Sequence, residues 1–412
     1  RSLRARVTMK KRTLGINGFG RIGKLLLWNQ LLGGNFDSFA VNLGRAAGKG
    51  LEDMIATLVR DSTYGNLDNF FFGHSGRKAD IKILSAEERI IGIEGKEIRF
   101  LTESRNPSKI GWGGLGVRIV ADCTGKFLDP ALPEDWDKGS LRGHLGKGVE
   151  AVVASAPFKM GDPAASFPED SLMMVYGVNH LKFKPGKHRV VSAASCTTTG
   201  LSHMVKPLLE TRETSGILTA SMSTVHAATN TQSILDGVPK SGAKDLRKTR
   251  AVFNNIILTS TGAAGALENV LPEISRIGFM ADSVRIPVNT VSMISLNVTF
   301  RTGLDASGEP VINREFLNNI YRKASLGEQK GLLVYTDTQN VSSDFAGYEA
   351  AVVVEGTETH TRTGFLDFSP AEMEDLGIPG SKGLRVPVTH AKIVGWYDNE
   401  YGCYVNCMGK LI

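Results

Sequence analysis

Residues 192–203 read SAASCTTTGLSH and set Cys196 among serines, threonines and alanines. The run HRVVSAASC (188–196) reads as a strand reaching a turn, and TTTGLSHMVK as the start of a helix. That places Cys196 at or near a helix N-terminus, where free amides and the helix dipole favour the thiolate. Threonines there can cap the helix and bind anions through hydroxyls and amides. Pro207 is expected to end or kink this helix early. Taken alone, the segment is the better fit to a small buried cysteine. His226 changes the balance. The run MSTVHAAT sets it at the end of another apparent strand, and an imidazole is the natural base for thiol chemistry near neutral pH. Spacing alone does not bring the two side chains together.

A second pattern is Gly18-x-Gly20-x-x-Gly23, between the apolar run TLGIN and a helical pattern of leucines at 25, 26, 27, 31 and 32. Gly18 permits the tight turn, Gly20 lets a pyrophosphate approach the backbone, and Gly23 lets the helix close on the sheet. A further apolar run, SFAVN (38–42), completes a βαβ unit and predicts a parallel sheet with a right-handed crossover. A carboxylate normally ends that second strand and binds the adenosine ribose. Here Asn42 is followed by Leu43, the next acid is Glu52, and Asp37 falls at the strand's opposite end. Arg45 and Lys49 stand near the vacant position. Removing the acid removes repulsion against a 2′-phosphate, so NAD and NADP are both expected cofactors.

The elements that must hold these groups follow from texture. Buried strands are expected at VRIVADCTG (117–125) and EAVVASAP (150–157), each ending in small or turn residues. Beyond residue 196 come longer runs with alternation at 216–229, 281–303 and 331–338, and an amphipathic helix at 313–325. The stretch 355–390 is polar and rich in turn residues and reads as an excursion from the core. The fold class is therefore an α/β Rossmann dinucleotide-binding domain plus an α+β catalytic domain with a mixed, largely antiparallel sheet.

With 412 residues, 42% of them hydrophobic and 22% charged, the chain has the balance of a soluble multidomain protein. Four scattered cysteines, at 123, 196, 403 and 407, make no disulfide framework and no zinc pattern, so no metal site is expected. They point to a reducing compartment and a cytoplasmic location. On a helix Cys403 and Cys407 would share one face, packed against the core. No apolar run is long enough for a membrane span. The formal charge of +6 belongs to the N-terminus, where six bases and no acid occupy residues 1–12, and the rest of the chain sums to zero. That argues against a nucleic-acid surface on the fold. Met9 is read as the natural start, residues 1–8 as an upstream piece, and organelle import by the basic tail is left open.

The same residues resemble a known family. GINGFGRIG (15–23), SAP (155–157), YGVNH (176–180), SAASCTTT (192–199), STVHAATNTQ (223–232), STGAAGAL (260–267), VRIPVNTVS (284–292) and WYDNEYG (396–402) occur in order along nearly the whole chain. In these motifs it is similar to phosphorylating glyceraldehyde-3-phosphate dehydrogenases. The resemblance implies an NAD(P)-binding Rossmann domain over 9–195, a catalytic domain over 196–395 with a long S-shaped loop at 229–250, and a segment 396–412 returning to the cofactor domain. It implies oxidation and phosphorylation of glyceraldehyde 3-phosphate by inorganic phosphate, in glycolysis or gluconeogenesis, and a homotetramer.

By position the resemblance makes Cys196 the nucleophile and His226 its base, through a thiohemiacetal and a thioester. Thr229 and Arg285 match the substrate-phosphate positions, and Ser195, Thr197, Arg247, Thr261 and Gly262 the surroundings of inorganic phosphate. Gly18, Gly20, Arg21, Ile22, Gly23, Thr124, Gly125, Ser155, Asn399 and Tyr401 match cofactor positions. The chain departs from the family pattern at Leu43, Ala193, Thr199, Ala228 and Thr231. Oxidation of erythrose 4-phosphate, with water in place of phosphate, is the nearest enzymatic alternative. A non-catalytic cofactor- or RNA-binding relative is the alternative from another class.

Overall fold

The computed structural model describes residues 11–146, 148–380 and 382–412. Arg1, Arg4, Arg6, Lys10 and the proposed start at Met9 lie outside the described residues. The chain divides into two compact units. One holds the chain up to Met174 with His180–Ala194 and Met408–Ile412; the other holds Val175–Asn179 and Ser195–Cys407. Of the 396–412 segment, residues from Met408 lie with the first unit and those before it with the second.

The first unit opens with β1 (Thr13–Asn17), α1 (Arg21–Leu32) and β2 (Ser38–Asn42). Then come α2 (Leu51–Leu58), a short ribbon of β3 (Arg60–Asp61) and β4 (Gly65–Asn66), and α3 (Leu67–Phe72). The strands β5 (Ile81–Ser85), β6 (Ile90–Ile93), β7 (Lys96–Leu101), β8 (Val117–Asp122), β9 (Ala151–Ala154), β10 (Ser171–Met173) and β11 (Val190–Ser192) follow. One nine-stranded sheet forms in the order β10-β11-β9-β8-β1-β2-β7-β6-β5. β1 pairs in parallel with both β2 and β8, so the strand order reverses beside it and leaves a crevice at its carboxyl end. Leu14 and Ile16 of β1 and Leu25, Leu26, Leu27 and Trp28 of α1 are fully buried. Each such side chain contributes about 1.5–3 kcal/mol on leaving water, which clamps the glycine turn between strand and helix.

The second unit begins with α4 (Cys196–Glu210) and β12 (Ile217–Ala227). It continues with β13 (Ile257–Thr259), α5 (Ala263–Val270), β14 (Gly278–Ile286), β15 (Ser292–Arg301) and α6 (Arg314–Leu326). It closes with β16 (Leu333–Thr336), β17 (Val352–Glu355), β18 (His360–Phe368), α7 (Pro370–Asp375) and β19 (Leu384–Tyr397). The sheet order is β13-β14-β12-β15-β19-β17-β16, with β18 beside β19. β12–β14 and β16–β17 are parallel pairs and the other ladders antiparallel, which is the mixed sheet the sequence predicts. Alternation in β12 turns Ala220, Met222, Thr224 and His226 inward.

One expectation is corrected here. Pro207 does not end its helix: α4 runs on to Glu210. Proline has no N–H for the carbonyl four residues back, and the Gln329 side chain serves that carbonyl instead, its Nε2 donating to His203 O at 3.2 Å. The stretch 355–390, read as an excursion from the core, is largely exposed but not without regular structure. It folds into the β18–β19 ladder, in register from His360–Lys392 to Phe368–Leu384, with α7 between the strands. A capping box between Ser369 and Glu372 starts α7.

Candidate active site

The turn into α4 is tight. Ala194 takes a left-handed conformation at φ 53°, an uncommon state that non-glycine residues keep only when their surroundings impose it. Ser195 is the N-cap, its Oγ accepting from Thr198 N at 3.1 Å. Cys196 is thus the first residue of the helix, half-buried, with Sγ 3.6 Å from Nε2 of His226. His226 is buried at the end of β12. The contact joins two segments 30 residues apart in sequence.

Burial and charge tune this pair. Burial pushes the Cys196 thiol up, while Arg285 and the amides of Cys196 and Thr197 pull it down. The net shift is upward, so desolvation outweighs the helix N-terminus that favours the thiolate. Burial and then the Arg285 charge push His226 down to about 3, well below the near-neutral value expected of a base. Burial thus disfavours the charged form of both groups.

Three residues absent from the sequence-based site brace it. Tyr397, fully buried on β19, hydrogen-bonds through its hydroxyl to Thr197 Oγ1 at 2.9 Å and Thr224 Oγ1 at 2.8 Å. It ties α4 to β12 directly beside Cys196 and His226. Ser292 Oγ accepts from Ala227 N at 3.0 Å and donates to Asn399 Oδ1 at 3.2 Å. Cys403 Sγ donates to the carbonyl of Cys196 at 3.7 Å, from a wide π-helical turn over Tyr401–Val405.

The first unit carries a cleft of about 360 Å³ at the carboxyl ends of its central strands, lined in part by Gly18, Gly20, Leu43, Arg45, Arg105 and Thr124. Gly18 has φ +97°, and a Cβ on Gly23 would come within 1.9 Å of Gly18 O. Only glycine allows that turn and that approach. Nothing lies within 4 Å of where a Gly20 Cβ would be, and no side chain caps the N-terminus of α1. Open space over bare helix amides suits the pyrophosphate of a dinucleotide. Asp37 sits at the far end of β2, paired with Arg12, as its place in the sequence predicts. Arg105 joins Arg45 on the cleft wall, whereas Lys49 does not line it.

Family models match both parts of the chain. The description "Glyceraldehyde 3-phosphate dehydrogenase, NAD binding domain" fits residues 12–130, and "Glyceraldehyde 3-phosphate dehydrogenase, C-terminal domain" fits 195–368. The chain belongs to the glyceraldehyde-3-phosphate dehydrogenase family. It is 34% identical over 390 residues to the cytosolic glyceraldehyde-3-phosphate dehydrogenase of Chlamydomonas reinhardtii, covering 94% of this chain and 92% of that protein. It is 36% identical over 395 residues to the Streptomyces coelicolor enzyme of that name, and 34% over 391 to the Geobacillus stearothermophilus one, each covering 94% of both chains.

The residues that the glyceraldehyde-3-phosphate dehydrogenase resemblance points to are placed as follows. Arg285 lies opposite His226 in the β12–β14 register, with its guanidinium on His226 Nδ1 and Ala227 O. Thr229 donates to Gln232 Oε1 at 3.0 Å just beyond β12. Thr261 and Gly262 open α5, Thr261 Oγ1 accepting from Ala263 N. Thr197 is buried with its hydroxyl on Tyr397. Arg247 is held by Asp245 on the exposed loop, so the fold joins it to an acid and not to the Cys196 group. Arg21 opens α1 ahead of Ile22 and pairs with Asp61. Thr124 is bound to the Asp122 carboxylate, Gly125 has φ +62°, and Ser155 N donates to Asp122 O. Asn399 and Tyr401 belong to the second unit, Tyr401 donating to Glu349 at 2.8 Å.

The first-unit site also rests on a buried chain that the sequence does not advertise. Trp112 Nε1 donates to His144 Nδ1 at 3.0 Å. His144 Nε2 then lies 3.0 Å from Asp122 Oδ2, and Asn17 and Asn42 continue the chain to the cleft. Because Nδ1 accepts, the His144 proton is on Nε2 and is donated to Asp122.

Proposed function

We propose that this protein oxidises D-glyceraldehyde 3-phosphate with inorganic phosphate, giving 1,3-bisphosphoglycerate and reduced NAD(P). The observation that carries the reading is the 3.6 Å approach of Cys196 Sγ to His226 Nε2 at the first residue of α4. Cys196 sulfur bonds to the aldehyde carbon, its proton passing by His226 to the carbonyl oxygen. The Cys196 amide and the His226 ring stabilise the oxyanion as it forms. His226 then takes the hydroxyl proton as the hydride departs, which leaves an acyl group on sulfur. Phosphate attacks that thioester, the carbon–sulfur bond breaks, and the departing sulfur takes the proton back from His226 while the phosphate's proton goes to solvent, which restores the thiol and the neutral imidazole.

Bound NAD(P) supplies the hydride acceptor. Gly18, Gly20, Arg21, Ile22, Gly23, Thr124, Gly125 and Ser155 would hold it. With Leu43 in place of an acid and Arg45 and Arg105 on the cleft wall, the site accepts NADP as well as NAD. Thr229 and Arg285 bind the substrate phosphate, and Ser195, Thr197, Thr261 and Gly262 surround the attacking phosphate, with Arg247 as an outer charge. Apolar side chains exposed on the 229–256 loop support a homotetramer. The enzyme serves glycolysis or gluconeogenesis in the cytoplasm.

Steady-state assays with each cofactor, with and without phosphate, test this reading. Phosphate-dependent reduction is expected in the wild type and abolished in Cys196→Ser. Full activity in that variant sinks the proposed reaction, and undiminished turnover without phosphate assigns water as the acceptor instead.

A further inference from the structure

Charge is not spread evenly over the first unit. Residues 180–189 read HLKFKPGKHR, and no acid occurs between Asp170 and Glu210. These residues form the turn that enters β11. Pro185 and Gly186 make its bend in the pattern of a type II turn. Gly186 has φ +79°, and Lys187 N and His188 N both donate to Lys184 O, at 3.1 and 3.0 Å. The Lys184 amide donates to His188 Nδ1 at 2.9 Å, and the Phe183 and His188 rings pack with centroids 5.9 Å apart. The turn is thus held in one shape without using its side-chain charges. Lys182, Lys184 and Lys187 are exposed, Arg189 is half-buried, and none of the four has an acid partner among the described residues. Elsewhere on this unit Arg77, Lys78, Lys82 and Arg118 each pair with a carboxylate. Asp170 is taken by Arg142, and Glu169 beside it offsets one of the four cations at most. His188 feels the crowding: burial, then Lys187 and Lys184, push its pKa down. Among these cations Leu181 stands 88% exposed.

We propose that this turn docks the protein on an anionic phospholipid surface. Lysine stems lie along apolar material while their ammonium groups reach the headgroup phosphates. Leu181 enters the boundary of the acyl chains between them. Such contact lies on the membrane and needs no spanning segment. A nucleic acid would take the cations but leave Leu181 in water, and the Phe183 and His188 rings are packed on each other rather than open to bases. The place of the turn in the fold suits docking. β11 runs parallel to β9, β9 to β8 and β8 to β1. The turn therefore lies at the amino ends of these strands and the glycine-lined cleft at their carboxyl ends. A surface that holds the turn leaves the cleft clear.

Co-sedimentation of the full chain with lipid vesicles tests this. Binding is expected to vesicles of equal parts phosphatidylcholine and phosphatidylserine, and not to phosphatidylcholine alone. It should weaken as salt rises and the Debye length falls from about 10 Å at 0.1 M to about 3 Å at 1 M. Lys184→Gln with Lys187→Gln should lower the partition coefficient about fivefold for each lysine removed, and Leu181→Ser should lower it about tenfold. All three side chains are exposed, so the variants should keep the wild-type Tm. The basic residues 1–12 are common to wild type and variants, so the difference between them reads the turn alone. No binding to the anionic vesicles, equal binding to both kinds, or variants that bind as the wild type does, each overturns the proposal. A loss in the lysine variant but not in Leu181→Ser, with release from the vesicles by poly(U) RNA, assigns the turn to nucleic acid and overturns it as well.

Discussion

His226 is where chemistry and stability meet. Its pKa of about 3 in the fold, set by burial and then by Arg285, lies below the roughly 6.5 of an unfolded imidazole. Between those values the unfolded chain binds a proton that the native chain does not. Stability is therefore fully present above the unfolded value and is lost as pH falls toward the folded one, by at most about 1.4 kcal/mol per pH unit. His226→Gln should lose less Tm than the wild type between pH 7 and pH 5 while kcat falls about 10²–10⁴-fold. Parallel acid sensitivity in the two proteins would contradict the assignment. At the cleft, Leu43→Asp restores a carboxylate beside the ribose position. The ratio of kcat/KM for NAD over NADP should rise about tenfold, the equivalent of 1.4 kcal/mol, and an unmoved ratio would show that position 43 does not set cofactor choice. Sequence alone marks Leu43 as a departure, but Arg105 joins the same wall only through folding.

At the scale of elements, α4 decides the site, because its first residue is Cys196 and its last turns survive Pro207. The helix continues because Gln329 bonds both Nδ1 and O of His203, at 2.7 and 3.2 Å. Gln329→Leu should leave both groups without that donor and lower stability by about 1–3 kcal/mol, read as a drop in Tm. An unchanged Tm would mean that the helix tolerates proline without it. The glycine motif, the strands at 117–125 and 150–157 and the helix at 313–325 are legible in the sequence because local periodicity specifies them. The rescue of Pro207 is not, since the donor to the His203 carbonyl comes from 126 residues away. The β18–β19 ladder is half legible: HTRTGFLDF alternates like a strand, but turn-forming residues around it suggest a loop until β19 supplies the pairing edge.

For the whole molecule, the exposed apolar side chains call for cover. Ile234, Leu235, Val238, Leu246, Phe253 and Ile256 all stand out from one loop region, Val238 at 92% exposure. Apolar side chains exposed together on one loop region are a mark of interaction surfaces. In the proposed homotetramer these residues are covered by neighbouring copies. The wild type should sediment as a tetramer, and Val238→Lys with Ile256→Lys should shift it to smaller species. A wild type that sediments as a monomer would refute the assembly.

Order along the chain, by itself, determined the family pattern, the βαβ turn, the two fold classes and the identity of the cysteine and histidine. Those are local or positional properties, written in periodicity and in residue type. Tertiary structure alone decided that Cys196 and His226 meet, that Tyr397 ties their elements together and that Arg285 touches His226. Each of these depends on register between strands and on burial. Burial then reverses an expectation: helix N-terminal amides favour a thiolate, but taking the thiol out of water outweighs them.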